Sequence, residues 1–274
     1  MDIIAETGNS RLYTFHSHTQ FCDGRAPMEE MALAAIAAGF THYGFSPHSP
    51  VPIESPCNMK ASDVEAYLGE VARIKALYGD KCRFYAGMEI DRLGPDWGPG
   101  HEYFRNLPLD YRIGSVHFIE SQDGVLTDID GHFDSFRRKM EETFHGDIRY
   151  VVETFFEQSV AMVEAGGFDI IGHLDKVGLN ASLYSPGIED KAFYKEHLAR
   201  LTEAVAASGV IVELNTKAYK EHGRMFPRPS TLRELMRRGV AVIVNSDAHR
   251  PECVNASRAE GLEIVEQLKK ELGL

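Results

Sequence analysis

Histidine, aspartate and glutamate recur along this 274-residue chain at spacings that would let them share metal ions. His16 and His18 stand two residues apart, Asp247 and His249 repeat the interval, and Asp23, His48, Glu89, His117 and His173 add single ligand-type side chains. In an extended strand alternate side chains point the same way, so residues two apart can bind one ion. Imidazole and carboxylate ligands without thiolates suit Zn, Mn or Fe and argue against a purely structural zinc site. Nine such residues exceed what one ion of about four to six ligands can use, so two or three divalent ions are expected. Ions held this way lower the pKa of a bound water and clamp phosphoryl oxygens, the steps that hydrolysis of a phosphoester requires.

Taken singly, each residue has a plainer reading. His48 or His117 could bond a backbone carbonyl, Glu89 could pair with a cation, and Asp247 could cap a helix. Their joint placement favours metal, because imidazoles gathered in one place without a cation would leave many ring nitrogens competing for few partners.

That placement depends on the elements carrying them. Short β-rich runs alternate with longer amphipathic helical runs, the pattern of parallel βαβ units. The β runs are Leu12 to His18, His42 to Pro47, Arg83 to Asp91, Tyr111 to Ile119, Asp169 to Leu174, Val210 to Asn215 and Ala241 to Ser246. Helices are expected from Pro27 to near Gly39, from Ser62 (as N-cap, with Glu65 completing a capping box) to Tyr78, once or twice within Phe133 to Gly166, and over Glu189 to Ser208, Ser230 to Arg238 and Arg258 to Leu272. Asp23 follows the first β run and every other ligand-type residue falls at or just past the carboxyl end of one, which in a parallel α/β barrel is a single face. The loops Ser49 to Ala61, Arg92 to Asp110 and Gln122 to His132 follow strands and are expected to wall a pocket there. His101 and His222 lie in loops on that expected side and could touch substrate, whereas His42, His132, His145 and His197 read as structural or solvent-facing.

The bulk composition narrows the partners. A net charge of -12, with no basic block, argues against a long nucleic acid and leaves a small phosphorylated substrate, since metal ions can reverse the potential inside one pocket. Cys22, Cys57, Cys82 and Cys253 form no CxxC pair and read as reduced thiols. No signal peptide and no membrane span are apparent, so a cytoplasmic, single-domain protein is expected, with no membrane partner.

The motifs Phe15-His16-Ser17-His18 with Asp23, Ser46-Pro47-His48, Gly87-Met88-Glu89-Ile90-Asp91, Gly114-Ser115-Val116-His117-Phe118, Ile171-Gly172-His173-Leu174-Asp175, Glu213-Leu214-Asn215-Thr216 and Asn245-Ser246-Asp247-Ala248-His249 together resemble the polymerase and histidinol phosphatase (PHP) superfamily, and within it the histidinol-phosphate phosphatases. The resemblance runs from about Leu12 to about Asn255. It implies a distorted (β/α)7 barrel holding three divalent metals: His16, His18, Glu89 and Asp247 on the first, Glu89, His117 and His173 on the second, and Asp23, His48 and His249 on the third. Glu89 would bridge two ions, a hydroxide between them would attack phosphorus in line, and Glu89, Asp247 and His249 would carry the catalysis. The implied reaction is hydrolysis of L-histidinol phosphate in histidine biosynthesis. The alternatives are another small phosphoester or nucleotide and, further off, the amide chemistry of amidohydrolases, which also use a His-X-His strand.

Two positions depart from the branch. Arginines expected to hold substrate phosphate are replaced by Gly178 and Lys220, so Lys220 and Lys176 become the expected phosphate-binding cations, with Lys217 as a further point charge.

Overall fold

The computed structural model describes residues 2–8 and 10–274. Its strands are β1 (Tyr13–Thr14), β2 (His42–Phe45), β3 (Arg83–Ala86), β4 (Glu89–Asp91), β5 (Ile113–Ser115), β6 (Phe118–Glu120), β7 (Leu126–Asp128), β8 (Ile170–Ile171), β9 (Ile211–Asn215) and β10 (Val242–Asn245). Its helices are α1 (Ile3–Thr7), α2 (Met28–Ala37), α3 (Val64–Tyr78), α4 (Glu102–Arg105), α5 (Phe133–Glu142), α6 (Ile148–Ala165), α7 (Val177–Tyr184), α8 (Ala192–Ser208), α9 (Tyr219–His222), α10 (Pro229–Arg237) and α11 (Arg258–Leu272). Each of the seven expected β runs contains a strand, and two of them, Arg83 to Asp91 and Tyr111 to Ile119, are broken into two.

The strands form a parallel sheet β1-β2-β3 and a parallel sheet β10-β9-β8-β5-β4. Isolated parallel bridges between Ser17 and Ala248, and between His48 and Glu89, stitch the two sheets together at both margins. Ser17, His48 and Ala248 lie just past the carboxyl ends of β1, β2 and β10, and Glu89 opens β4 after the break that ends β3, so the bridges fall among the ligand-type residues.

The interior is layered. Inward-facing positions rise by two residues along each strand: Ile113, Ser115, His117 from β5; Ile211, Glu213, Asn215 along β9; Ile243, Asn245, Asp247 from β10. The first layer is apolar, and Ile113, Ile170 and Ile243 pack with Tyr13, Phe15, Tyr85, Tyr111 and Ile3 of α1. Above it the chemistry turns polar. Tyr111 sits at the change of level, its hydroxyl donating to the Phe15 carbonyl at 2.6 Å. Gly44 and Gly87 make room for that ring, since a Cβ at either would come within 2.2 Å of it. Outside the sheets, α2 and α3 cover β2 and β3, while α5, α6, α7 and α8 form the largest core.

Local chemistry explains several boundaries and corrects others. Pro27 precedes α2 in an extended conformation, and Gly39 takes a φ of +79° beyond its end. Ser62 is not an N-cap: Ala61–Asp63 make a 3-10 turn leading into α3, and Ser62 Oγ donates to Asp63 Oδ1 instead. Part of the expected loop Gln122 to His132 is strand β7, paired antiparallel with β6 as a hairpin beyond β5. The helices α7, α4, α9 and α1 were not foreseen. Because β4 and β5 are parallel, the segment between them must cross back to the opposite end of the strands, so only its first part can wall the ligand face.

Candidate metal centre

All nine ligand-type residues meet at the carboxyl ends of the strands. Their ligand atoms form overlapping groups, His18–Asp23–His48–His249, His16–His18–Glu89, His16–His173–Asp247 and His48–Glu89–His117, each within 4.8 Å. His16, His18, Glu89, His117, His173 and Asp247 are almost wholly buried, and Asp23, His48 and His249 form a more open rim.

Glu89 is the centre of this arrangement. One oxygen, Oε1, lies 2.8 Å from His173 Nε2 and 3.5 Å from His117 Nε2. The other, Oε2, lies 3.1 Å from His16 Nε2, 3.5 Å from His18 Nε2 and 3.1 Å from His48 Nδ1. Each oxygen therefore faces a different set of rings. His117 Nε2 and His173 Nε2 are 3.2 Å apart. Two nitrogens each about 2.0–2.1 Å from a tetrahedral ion stand roughly 3.3 Å from one another, which is the separation seen here.

The fit to metal rests on unpaired atoms. His16 Nε2, His18 Nε2, Asp23 Oδ1, His48 Nδ1 and Glu89 Oε2 are buried and have no hydrogen-bond partner among the described residues. Five orphaned lone-pair atoms in one cluster would be costly without a cation among them. The donor set, nitrogen and carboxylate oxygen, is that of a divalent transition metal.

Behind the ligands stands a layer that the spacing argument left unassigned. Glu213 accepts from His16 Nδ1 at 2.8 Å, from Asn245 Nδ2 and Asn215 Nδ2 at 2.9 Å, and from the His173 N–H at 2.9 Å. Asp91 lies 2.7 Å from His117 Nδ1, and Ser115 Oγ donates to Glu89 at 2.7 Å. Such carboxylates fix the tautomer, so that Nε2 of His16 and of His117 presents its lone pair inward. Two-residue alternation carries the signal: Asp91 shares a face with Glu89, and Glu213 shares one with Asn215. His173 and Asp247 hold φ values of +21° and +50°, a left-handed backbone costing about 1–2 kcal/mol that its surroundings must offset.

The electrostatics follow from burial against charge. Burial disfavours a charged His16, but Glu213, Glu89 and Asp247 raise it well above the ordinary histidine value. His117 is pushed up to about 9, with Asp91 and Glu89 overcoming burial. His18 goes well below, through burial and its neighbours His249 and His48. His173 falls to about 4, through burial and Lys176. Burial would raise Glu89, yet His16, His48 and His117 hold its carboxyl well below the usual range.

The expected substrate-binding residues scatter. Lys176 follows β8 and its Nζ lies 2.7 Å from Asp130 Oδ2, with Asp247 and Glu89 close enough, along with Asp130, to raise its pKa against burial. Lys220 is exposed on α9 and makes no ion pair or hydrogen bond among the described residues. His222 ends α9 beside a surface pocket lined by Arg224 and Arg228. His101 is not brought to the cluster. It caps α4, accepting from the Tyr103 N–H at 3.1 Å, and neighbouring Gly100 lies against the Gly166 carbonyl ahead of β8. The Gly178 departure has a packing cause. A Cβ there would stand 2.4 Å from Tyr194 Oη and 2.8 Å from Arg224 Nη2, so no arginine fits.

Comparison with known proteins identifies the family. The profile of the PHP domain family matches residues 14–217. The "Probable histidinol-phosphatase" of Deinococcus radiodurans is 27% identical over 86% of this chain and 85% of its own length, and its namesake in Schizosaccharomyces pombe is 24% identical over 87% and 81%. Among solved structures, hisK of Listeria monocytogenes, described as a candidate histidinol phosphatase, superposes with a TM-score of 0.80 at 20% identity, covering 90% of this chain and 99% of that one. The histidinol phosphate phosphatase of Lactococcus lactis, in complex with Zn, L-histidinol and phosphate, gives 0.67 at 17% identity, covering 94% of each.

Proposed function

The chain belongs to the PHP domain family, and from that premise we propose that it is a metal-dependent phosphomonoester hydrolase whose substrate is L-histidinol phosphate. The observation that carries the proposal is Glu89, whose two oxygens face separate sets of histidines as a carboxylate shared by two ions would. The relatives named above supply the substrate. We read the two stitched sheets as a distorted (β/α)7 barrel forming one domain, working in the cytoplasm.

The overlapping groups of ligand atoms support two or three divalent ions, Zn, Mn or Fe, as the proposed complement. Glu89 with His16, His18 and Asp247 would hold the first, Glu89 with His117 and His173 the second, and Asp23, His48 and His249 the outermost. Such ions supply an acidified water and neutralise phosphoryl oxygens. The protein's own part is to hold geometry. Glu213 and Asp91 fix the rings of His16 and His117, Lys176 offers a positive charge beside the cluster, and the apolar layer beneath closes that side to water. In the reaction water adds its oxygen to phosphorus, the ester P–O bond breaks, and the departing alcohol oxygen takes a proton. That proton is the one the attacking water gives up, and Asp247 with His249, at 17% exposure the most open ring of the cluster, would serve the step by holding the ions that acidify the water.

The test is phosphate release by metal-reconstituted protein from histidinol phosphate, sugar phosphates and nucleotides, with an amide substrate as the outlier. Fastest turnover of histidinol phosphate is expected. Turnover of a nucleotide or of the amide, with histidinol phosphate inert, overturns the assignment. Elemental analysis finding at most one ion per chain overturns the multinuclear reading.

A further inference from the structure

Lys217 follows Asn215-Thr216 at the end of β9, a position distinct from the two where the branch carries arginine. Its backbone is pinned, with its N–H donating to Asn215 Oδ1 at 3.0 Å and Thr216 Oγ1 donating to the Ala256 carbonyl at 2.7 Å. The side chain runs into the cluster. Nζ lies 3.4 Å from Asp247 Oδ1 and 3.2 Å from His249 Nε2.

Those two atoms also face the ligand groups. Asp247 Oδ1 is 3.1 Å from His18 Nε2, while its other oxygen is occupied by Asn215 Nδ2 at 3.1 Å. His249 turns Nδ1 to the Asp247 carbonyl at 3.0 Å, so the Nε2 lone pair is the one left to bind a cation, and it looks toward Asp23 Oδ2 at 3.3 Å. An ammonium and a dication cannot share these lone pairs without repulsion. Lys217 is 42% exposed at its side chain, so it can swing away on its flexible stem with little loss of solvation. The charge it would then meet is that of a phosphoryl group held against the metals.

We infer that Lys217 is a built-in counter-cation of the metal centre, competing with the outermost ion for Asp247 and His249 and turning to the substrate phosphate when that ion is bound. The inference rests on the phosphoester-hydrolase reading, and it deepens it by naming a residue that couples metal loading to anion binding. Loading should favour phosphate, and phosphate should favour loading.

The experiment uses the full chain with Lys217→Met, which keeps the stem and removes the charge, and Lys217→Arg. Mn ions are titrated against a chromogenic chelator, and inorganic phosphate is then titrated by calorimetry into the metal-loaded protein. In the Met variant the weakest-bound ion should bind about tenfold to hundredfold more tightly, and phosphate more weakly by a similar factor, as expected for one charge-assisted contact. The Arg variant should keep phosphate affinity near that of the wild type. The proposal is overturned if either constant of the Met variant equals that of the wild type, or if its metal affinity falls. Neither probe is a substrate, so both shifts appearing in a protein that leaves histidinol phosphate intact would sink the substrate assignment alone.

Discussion

At the lower end of β5 and β10 the inward side chains are Ile113 and Ile243, buried against Tyr111, Tyr13 and Ile3, whereas four residues further on, just past the ends of the same strands, they are His117 and Asp247. Position within the strand is equivalent in the two layers, and the chemistry is opposite. Below, apolar contact satisfies every surface. Above, buried nitrogens and oxygens stand within 3.1 Å of one another, and several have no hydrogen-bond partner among the described residues. Between the two lies a hydrogen-bonding layer of Ser115, Glu213 and Asn245, whose polar atoms are paired. The apolar end therefore accounts for stability, and the ligand end is tolerable only because the middle layer holds it rigid and a cation can complete it.

The sharpest way to break this contrast is Glu89→Gln. The amide would present a donor where histidine lone pairs converge and would remove the negative charge shared between two groups of ligands. Loss of bound ions and a fall in turnover of more than about a hundredfold are expected, beyond what removal of an outer partner costs. Elemental analysis with steady-state kinetics decides it, and a variant with full metal content and normal turnover would show that Glu89 is not shared.

Glu213→Gln tests the middle layer. All of Glu213's partners, His16 Nδ1, the His173 N–H, Asn215 and Asn245, donate to it, so an amide nitrogen in place of one oxygen meets a donor. Metal affinity should fall by roughly tenfold to a hundredfold. Chelator competition measures it, and an unchanged affinity would reduce Glu213 to a packing residue.

The apolar end should respond differently. In Gly87→Ala the new methyl would lie 2.2 Å from Tyr111 Cζ, and repacking should cost about 1–3 kcal/mol in chemical denaturation of the metal-free protein while metal stoichiometry stays the same. A denaturation midpoint equal to that of the wild type would mean that Tyr111 swings aside freely and that the layer beneath the site is loosely packed.

How much of this was legible in the sequence follows from the range of each signal. The ligands were visible because strand ends and two-residue spacing are local, and the structure gathers all nine. The role of Glu213 is not legible in its motif, because what assigns it is contact with His16, 197 positions away. The sequence alone puts the loop bearing His101 on the ligand face, because its return beneath the strands follows from the pairing of β4 with β5, which no local pattern reveals. β7 reads as loop in the sequence because its three residues, Leu126–Asp128, are too short and polar to announce a strand, and α7 is hidden because Gly178, Asn180 and Ser182 dilute its helical pattern. The resemblance pointed to Lys220 for the missing arginine, and only the coordinates show Lys217 reaching the cluster.

The smallest expected effect concerns Lys220 and separates contact from field at the ligand end. Lys220 is exposed on α9 without a partner among the described residues, while Lys176 is largely buried, lies 2.7 Å from Asp130 and is close enough to Glu89 and Asp247 to feel their charge. A solvated charge acts at a distance through water and is screened beyond about 8 Å at physiological salt. Lys220→Ala should therefore raise KM for a phosphomonoester by less than about fivefold, the scale of an exposed ion pair, with kcat and metal content little altered. Lys176→Met should act more strongly and on kcat as well, because a buried cation beside the cluster can stabilise charge that develops in the transition state. Salt distinguishes the two mechanisms. If Lys220 acts only through its field, the difference between Lys220→Ala and wild type should vanish as ionic strength is raised. If a large KM defect persists in high salt and is restored by Lys220→Arg, then Lys220 touches the phosphate directly, α9 must close over the site during turnover, and the contrast drawn between the two lysines fails.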